Sequence, residues 1–129
     1  MHVLIFYPGG NGEGYVGLLS GNDRWVVQPV AEVVAGASCN PVLEAVEAVL
    51  AAREIPLSHV THIGVMHGPA SYTQLRVFIA TANTLAWVRH VPLFSFGPDA
   101  RLPDDIPPLL SHARVNVPVK PVYPTELGA

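Results

Sequence analysis

The sequence has one cysteine, few charges and no long apolar run. Cys39 alone cannot close an intrachain disulfide, so the fold must rest on its core, and 129 residues suffice for one. Seven Lys and Arg stand against ten Asp and Glu, a net charge of −3 with no basic cluster. Such a balance argues against a direct grip on nucleic acid by this chain alone. No apolar segment approaches the roughly 20 residues of a membrane-spanning helix. The first residues also lack the basic start and apolar stretch of a secretory signal, so a cytoplasmic location is expected. Charged residues make up only 13% against 50% hydrophobic ones, which argues against disorder and leaves little charged surface to keep copies apart. An oligomer or a fixed partner is therefore expected.

What is present is organised by period. Residues 2–7 (HVLIFY) form a β-rich apolar run that stops at a Pro-Gly-Gly-Asn-Gly turn, and strand-like runs follow at 15–19 and 24–30, joined by Ser-Gly-Asn-Asp. Three strands with short connections read as an antiparallel meander. The period then becomes helical. Asn40 is a good N-cap, Pro41 suits the first helical position, and Val42, Leu43, Val46, Val49 and Leu50 recur at helical spacing, which predicts a helix over 41–54. Residues 60–66 (VTHIGVM) predict a buried strand of a parallel arrangement, 72–89 a long helix, and 91–96 a last short strand. The expected fold is thus α/β, a mixed sheet built from a three-stranded antiparallel meander followed by helix, strand, helix and strand. Seven of the 13 prolines fall after residue 97, where they break every period. A short helix near 106–112 and an extended segment around 115–123 are expected there.

The segment 67–76 (HGPASYTQLR) is the most distinctive. Gly68-Pro69-Ala70 can turn the chain sharply, and Ser71 followed three residues later by Gln74 matches a capping box. The free N–H groups of the next helix also offer a weak anion site, although the pattern lacks the glycines and lysine of a phosphate-binding loop. On that helix Leu75, Phe78, Ile79, Ala82, Leu85 and Ala86 share a sector that should pack on the sheet. Gln74, Val77, Thr81, Thr84 and Val88 share a neighbouring, small and β-branched sector, suited either to another molecule or to the first helix of the same chain.

The segment around Gly68, Pro69, Ser71, Thr73, Leu75 and Arg76, continued by Ala80, Thr81, Ala82, Leu85 and Ala86, resembles the Gly-Pro-Gly-Ser-Phe-Thr-Gly-Leu-Arg motif and helix of the TsaB (YeaZ) family. That family is the non-catalytic partner in bacterial tRNA threonylcarbamoyladenosine synthesis. The resemblance spans about residues 3–96 and is sharpest over 60–96. It implies a single actin-like, ribonuclease-H-like lobe over 1–97, followed by a proline-rich tail over 98–129 in place of the second lobe of family members. It also implies a scaffold role in modification of the adenosine 37 region, pairing with itself or with a TsaD-type subunit, and no cofactor. Partner-contact residues would be Gln74, Val77, Phe78, Thr81, Thr84 and Val88, with Gly68, Pro69, Ser71, Thr73 and Arg76 forming the motif turn.

The sequence departs from the motif at Ala70 and Gln74, which replace glycines, and at Phe78 and Thr84, which replace two more on the helix. Bulkier side chains there are expected to alter the helix–helix contact. Tyr7 stands where the superfamily often has an aspartate, so metal or phosphate handling at the first turn is not expected. Two rival functions follow: a diverged homo-oligomeric interaction protein, and a small nucleotide- or phosphate-binding hydrolase acting at residues 67–73.

Other candidate chemistry is dispersed. His59, His62 and His67 are close in sequence, but His62 and His67 alternate to opposite strand faces and no Cys or carboxylate accompanies them, so no metal site is expected. Cys39, beside a helix start, is either a thiol of lowered pKa or a buried inert one. Asp99, Asp104 and Asp105 in the tail read as turn residues, and Arg76 as either a partner-contacting or a simply exposed cation.

Overall fold

The computed structural model describes residues 1–9, 14–21, 24–31 and 40–122. Cys39 and the Tyr123-Pro124 end of the tail lie outside them. The first strand, β1 (His2–Tyr7), has Val3, Leu4, Ile5 and Phe6 wholly buried, so both of its faces are covered. That requires the centre of a sheet. It pairs antiparallel with β2 (Tyr15–Ser20) from His2↔Ser20 to Tyr7↔Tyr15, and parallel with β4 (His62–Met66) from Val3↔His62 to Phe6↔Val65. β3 (Arg24–Pro29) extends the antiparallel side and β5 (Leu93–Phe96) the parallel side, giving the order β3-β2-β1-β4-β5. The expected mixed α/β sheet is the one observed.

Helix α1 (Pro41–Ala52) packs on β2 and β3, and α2 (Tyr72–Arg89) on β4 and β1. The helices also touch each other. Each apolar stripe therefore has its own half of the sheet to cover, α1 with Val42, Ala45, Val46, Val49 and Leu50, α2 with Leu75, Phe78, Ile79, Ala82 and Ala86. Burying a side chain such as Phe78 contributes about 1.5–3 kcal/mol, which makes the α2 stripe the larger anchor.

Three boundaries differ from the sequence expectation. α1 ends at Ala52 rather than residue 54, because the residue before Pro56 is pushed out of helical geometry. Glu54 turns the chain at φ 55°, and the N–H of Ile55 donates to the carbonyl of Leu50. β4 starts at His62, after a 3-10 turn over Leu57–His59, and β5 starts at Leu93 because Pro92 has no N–H to give the ladder. The carbonyl of Pro92 still accepts from the N–H of Ile63.

After β5 a four-residue helix, α3 (Ile106–Leu109), and a 3-10 turn (Leu110–His112) occupy the region expected to hold a short helix. Ile106 is wholly buried. Asp105 stabilises the turn before it, its carboxylate accepting from the N–H of Arg101 at 2.7 Å. Beyond this turn, as far as Val122, the tail lies on the domain. Arg114 forms an antiparallel bridge with Leu93, and the side-chain amide of Asn83 holds Val119 at both its N–H (2.9 Å) and its carbonyl (3.0 Å).

α2 closes on His90, which takes the left-handed conformation at φ 54°, while the N–H of Val91 donates to Ala86. A non-glycine residue costs of order 1 kcal/mol in that region. Replacing His90 by glycine is expected to raise stability by about 0.5–1 kcal/mol, measured as a higher denaturant midpoint at unchanged slope.

Candidate functional site

The distinctive segment begins where β4 ends. The N–H of His67 donates to Phe96 on β5, and its carbonyl accepts from the N–H of Val122 in the tail at 2.7 Å. Gly68 has φ +117°, and a Cβ there would lie 2.4 Å from the Val122 carbonyl oxygen. Only glycine satisfies both the backbone and the close approach. A cis bond joins it to the half-buried Pro69.

Ser71 is the N-cap of α2, but its side chain makes no capping hydrogen bond. The expected capping box is therefore absent, and Gln74 is used elsewhere. Its side chain is buried, and its Nε2 donates to the carbonyl of Pro8 at the end of β1. Phe78, one turn on, is wholly buried beside it. Both side chains enter the space left by Gly14, where a Cβ would lie 2.6 Å from the Phe78 ring and 2.8 Å from Gln74 Nε2. The two replaced glycines thus fill the interior and do not project into an outward helix contact.

Thr81 is also used within the chain. Its hydroxyl donates to the Val77 carbonyl at 2.7 Å and accepts from Asn40 Nδ2 at 3.2 Å. The other end of the Asn40 amide caps α1, accepting from the N–H groups of Val42 at 3.0 Å and Leu43 at 3.2 Å. One side chain therefore starts α1 and ties it to the middle of α2. The six expected contact residues accordingly divide. Gln74, Phe78 and Thr81 are buried, Val77 is half-buried, and Thr84 and Val88 are exposed.

The outward side of α2 consists of Tyr72, Arg76, Ala80, Thr84, Trp87 and Val88, with Trp87 66% and Val88 58% exposed. Arg76 lies over the Tyr72 ring, 5.8 Å from its centroid, a cation–π contact that holds the guanidinium along the helix. Ser71 is exposed and Thr73 half-buried at the start of this side. A groove of about 290 Å³ runs between the helices, lined by Asn40, Leu43, Ala80, Thr81, Thr84 and Leu85. Small side chains at Ala80 and Thr84 let another helix approach closely. A second cleft, about 620 Å³, lies between α2 and the tail, with Trp87, Leu93, Val117 and Pro118 in its walls. Nothing in the sequence marked Asn83 as the clamp that brings the tail beside Trp87.

The remaining groups do not assemble. Among the described residues no three His, Cys, Asp or Glu side chains come together, and no helix is long and apolar enough to cross a membrane. His59 lies in the 3-10 turn, His62 at the start of β4 with Nδ1 3.0 Å from Thr61 Oγ1, and His67 beyond the end of that strand. Burial, then the nearby N-terminal charge, lowers the His62 pKa. At the end of β1, Tyr7 stacks on Tyr15 with ring centroids 4.8 Å apart. Burial, then Tyr7, raises the Tyr15 phenol to about 12, so it stays protonated.

Asn40→Ala is expected to cost about 1–2 kcal/mol by removing the cap and the bond to Thr81, whereas Asn40→Asp keeps the cap and should cost less. Gln74→Ala leaves the Pro8 carbonyl without its partner and should cost about 1–3 kcal/mol. Chemical denaturation of the three variants measures both.

A family model described as TsaD, tRNA N6-adenosine threonylcarbamoyltransferase, matches residues 30–95. The fold is similar to that of YeaZ from Pseudomonas aeruginosa, at 22% identity and a TM-score of 0.63, covering 75% of this chain and 45% of that one. It is also similar to an uncharacterized protein with similarity to peptidase YEAZ from the same organism, at 23% identity and a TM-score of 0.63, covering 74% of this chain and 43% of that one. The chain thus spans less than half the length of these two structures. No curated protein matches it significantly.

Proposed function

The chain belongs to the TsaD family, tRNA N6-adenosine threonylcarbamoyltransferase, and from that premise we propose that it is a TsaB-like scaffold supporting threonylcarbamoyl modification of tRNA. It does so by protein–protein contact with a TsaD-type subunit, without catalysis of its own. The observation that carries this reading is the outward side of α2, where Ala80 and Thr84 border a groove against α1 and Trp87 and Val88 remain exposed. A stretch of small helix residues beside an exposed tryptophan is the kind of surface a partner helix covers. Tyr7, stacked on Tyr15 where a carboxylate would be needed for metal or phosphate chemistry, supports the non-catalytic role. The motif turn contributes by seating α2, with Gly68 and Pro69 shaping its entry, Ser71 and Arg76 exposed on its first turns and Thr73 half-buried between them.

Thr84→Arg and Ala80→Arg put a long charged side chain into the groove without touching the buried stripe. Each is expected to reduce co-purification with a TsaD-type subunit by at least tenfold and to lower reconstituted threonylcarbamoyl transfer, while Val27→Lys on the distant β3 edge changes neither. Failure of the unaltered protein to bind that subunit, with no effect on transfer, contradicts the proposal. A second reading, self-association through the same face, is favoured by the exposed Trp87 and Val88 side by side. In that case sedimentation of the protein alone gives a dimer that Trp87→Ala converts to a monomer.

A further inference from the structure

The tail does more than cover an edge. Between it and β5 lies a cavity of about 310 Å³, at the lower end of small-ligand pockets, whose walls include His67, His112, Arg114 and Lys120 and, among the described residues, no acidic one. In a chain of net charge −3, two of the seven Lys and Arg, Arg114 and Lys120, line this one cavity. Ser95, exposed on β5, adds a hydroxyl to the same wall.

These groups are poorly satisfied by the protein. His67 Nδ1 is buried with no hydrogen-bond partner among the described residues, the kind of orphan that a bound ion or water explains. Arg114 uses one terminal nitrogen on the carbonyls of Ser111 (3.4 Å) and Ala113 (3.1 Å). That holds the guanidinium near the wall and leaves its other donors without a partner among the described residues. These side chains come from two parts of the chain, His67 from just past the end of β4 and His112, Arg114 and Lys120 from the tail. The like charges of Arg114 and Lys120 on one cavity repel, and an anion between them offsets that repulsion.

We propose that this cavity binds a phosphate group, as inorganic phosphate or as a small phosphate monoester. A dianion with several acceptor oxygens suits a wall that carries a lysine, an arginine and two imidazoles better than a singly charged carboxylate does. The apolar walls, Val117, Pro118 and Leu93, would accept the organic part of a monoester. Phosphate bound there joins the tail to the sheet and tightens the docking seen at Val119 and Val122. The site is separate from the α2 face and does not depend on the scaffold role.

The test is amide-resolved NMR of the full chain, titrated with inorganic phosphate, adenosine monophosphate, acetate or chloride at matched ionic strength. Saturable shifts at His67, Ser95 and Lys120 with phosphate, absent with acetate and chloride, are expected. Tighter binding of adenosine monophosphate assigns the site to a monoester, and equal binding assigns it to the bare ion. At ten times its Kd, phosphate should slow hydrogen exchange of the Val119 and Val122 amides about tenfold, since opening of the tail destroys the site. Lys120→Ala and Arg114→Ala should each weaken binding at least fivefold, whereas Arg24→Ala, which removes the same charge on the far edge strand, should not. Equal shifts with all four anions, or equal weakening by Arg24→Ala, overturns the proposal by showing general ionic screening.

Discussion

The seating of α2 on the sheet is the constraint on which the rest depends. Its apolar stripe buries Leu75, Phe78, Ile79, Ala82 and Ala86, and Gln74 locks the first turn to the end of β1 through the Pro8 carbonyl. A buried amide satisfied by a backbone carbonyl adds little net stability, but it is costly to leave unpaired, so it fixes position more than it adds strength. With that turn fixed, helical geometry decides which residues face outward over the next four turns. Ala80, Thr84 and Trp87 are outward because Gln74 and Phe78 are inward.

The same geometry organises the two neighbours of α2. On one side Asn40 couples the start of α1 to Thr81, so the groove between the helices has one wall held by hydrogen bonds. On the other side Asn83 clamps Val119, and the tail follows the end of α2 toward His67. The tail as far as Val122 is thereby part of the domain surface, beside an exposed tryptophan, and brings Arg114 and Lys120 to the cavity that His67 also lines. A helix framed by two polar clamps and bare between them is suited to presenting a surface, and the α1–α2 groove is the part of it that faces away from the tail.

Much of the fold was legible because it rests on period. The run HVLIFY, buried on both faces, and the stripe of α2 are local patterns that tertiary contacts reinforce. Ser71 and Gln74 show where such reading stops. Their spacing matches a capping box, yet the serine oxygen makes no such bond and the glutamine reaches a carbonyl 66 positions earlier in the chain. The space for that reach is created by Gly14, and no local rule connects residue 14 to residues 74 and 78. Likewise Thr81 shares a helical sector with Thr84 but is claimed by Asn40, and the tail's cations meet His67 only after the chain has folded back. Partners distant in sequence, rather than propensities, decided each of these cases.

The central claim is that α2 at Ala80 and Thr84 is open in the isolated chain and covered in the assembly. Thiol labelling tests it directly, with single cysteines placed at Ala80, Thr84 and the buried Ala82 in a Cys39→Ser background. Fast labelling at positions 80 and 84, slowed at least tenfold by a TsaD-type subunit, with position 82 unreactive throughout, is the predicted result. Labelling at 80 and 84 that the subunit leaves unchanged, although the two proteins bind, would contradict it.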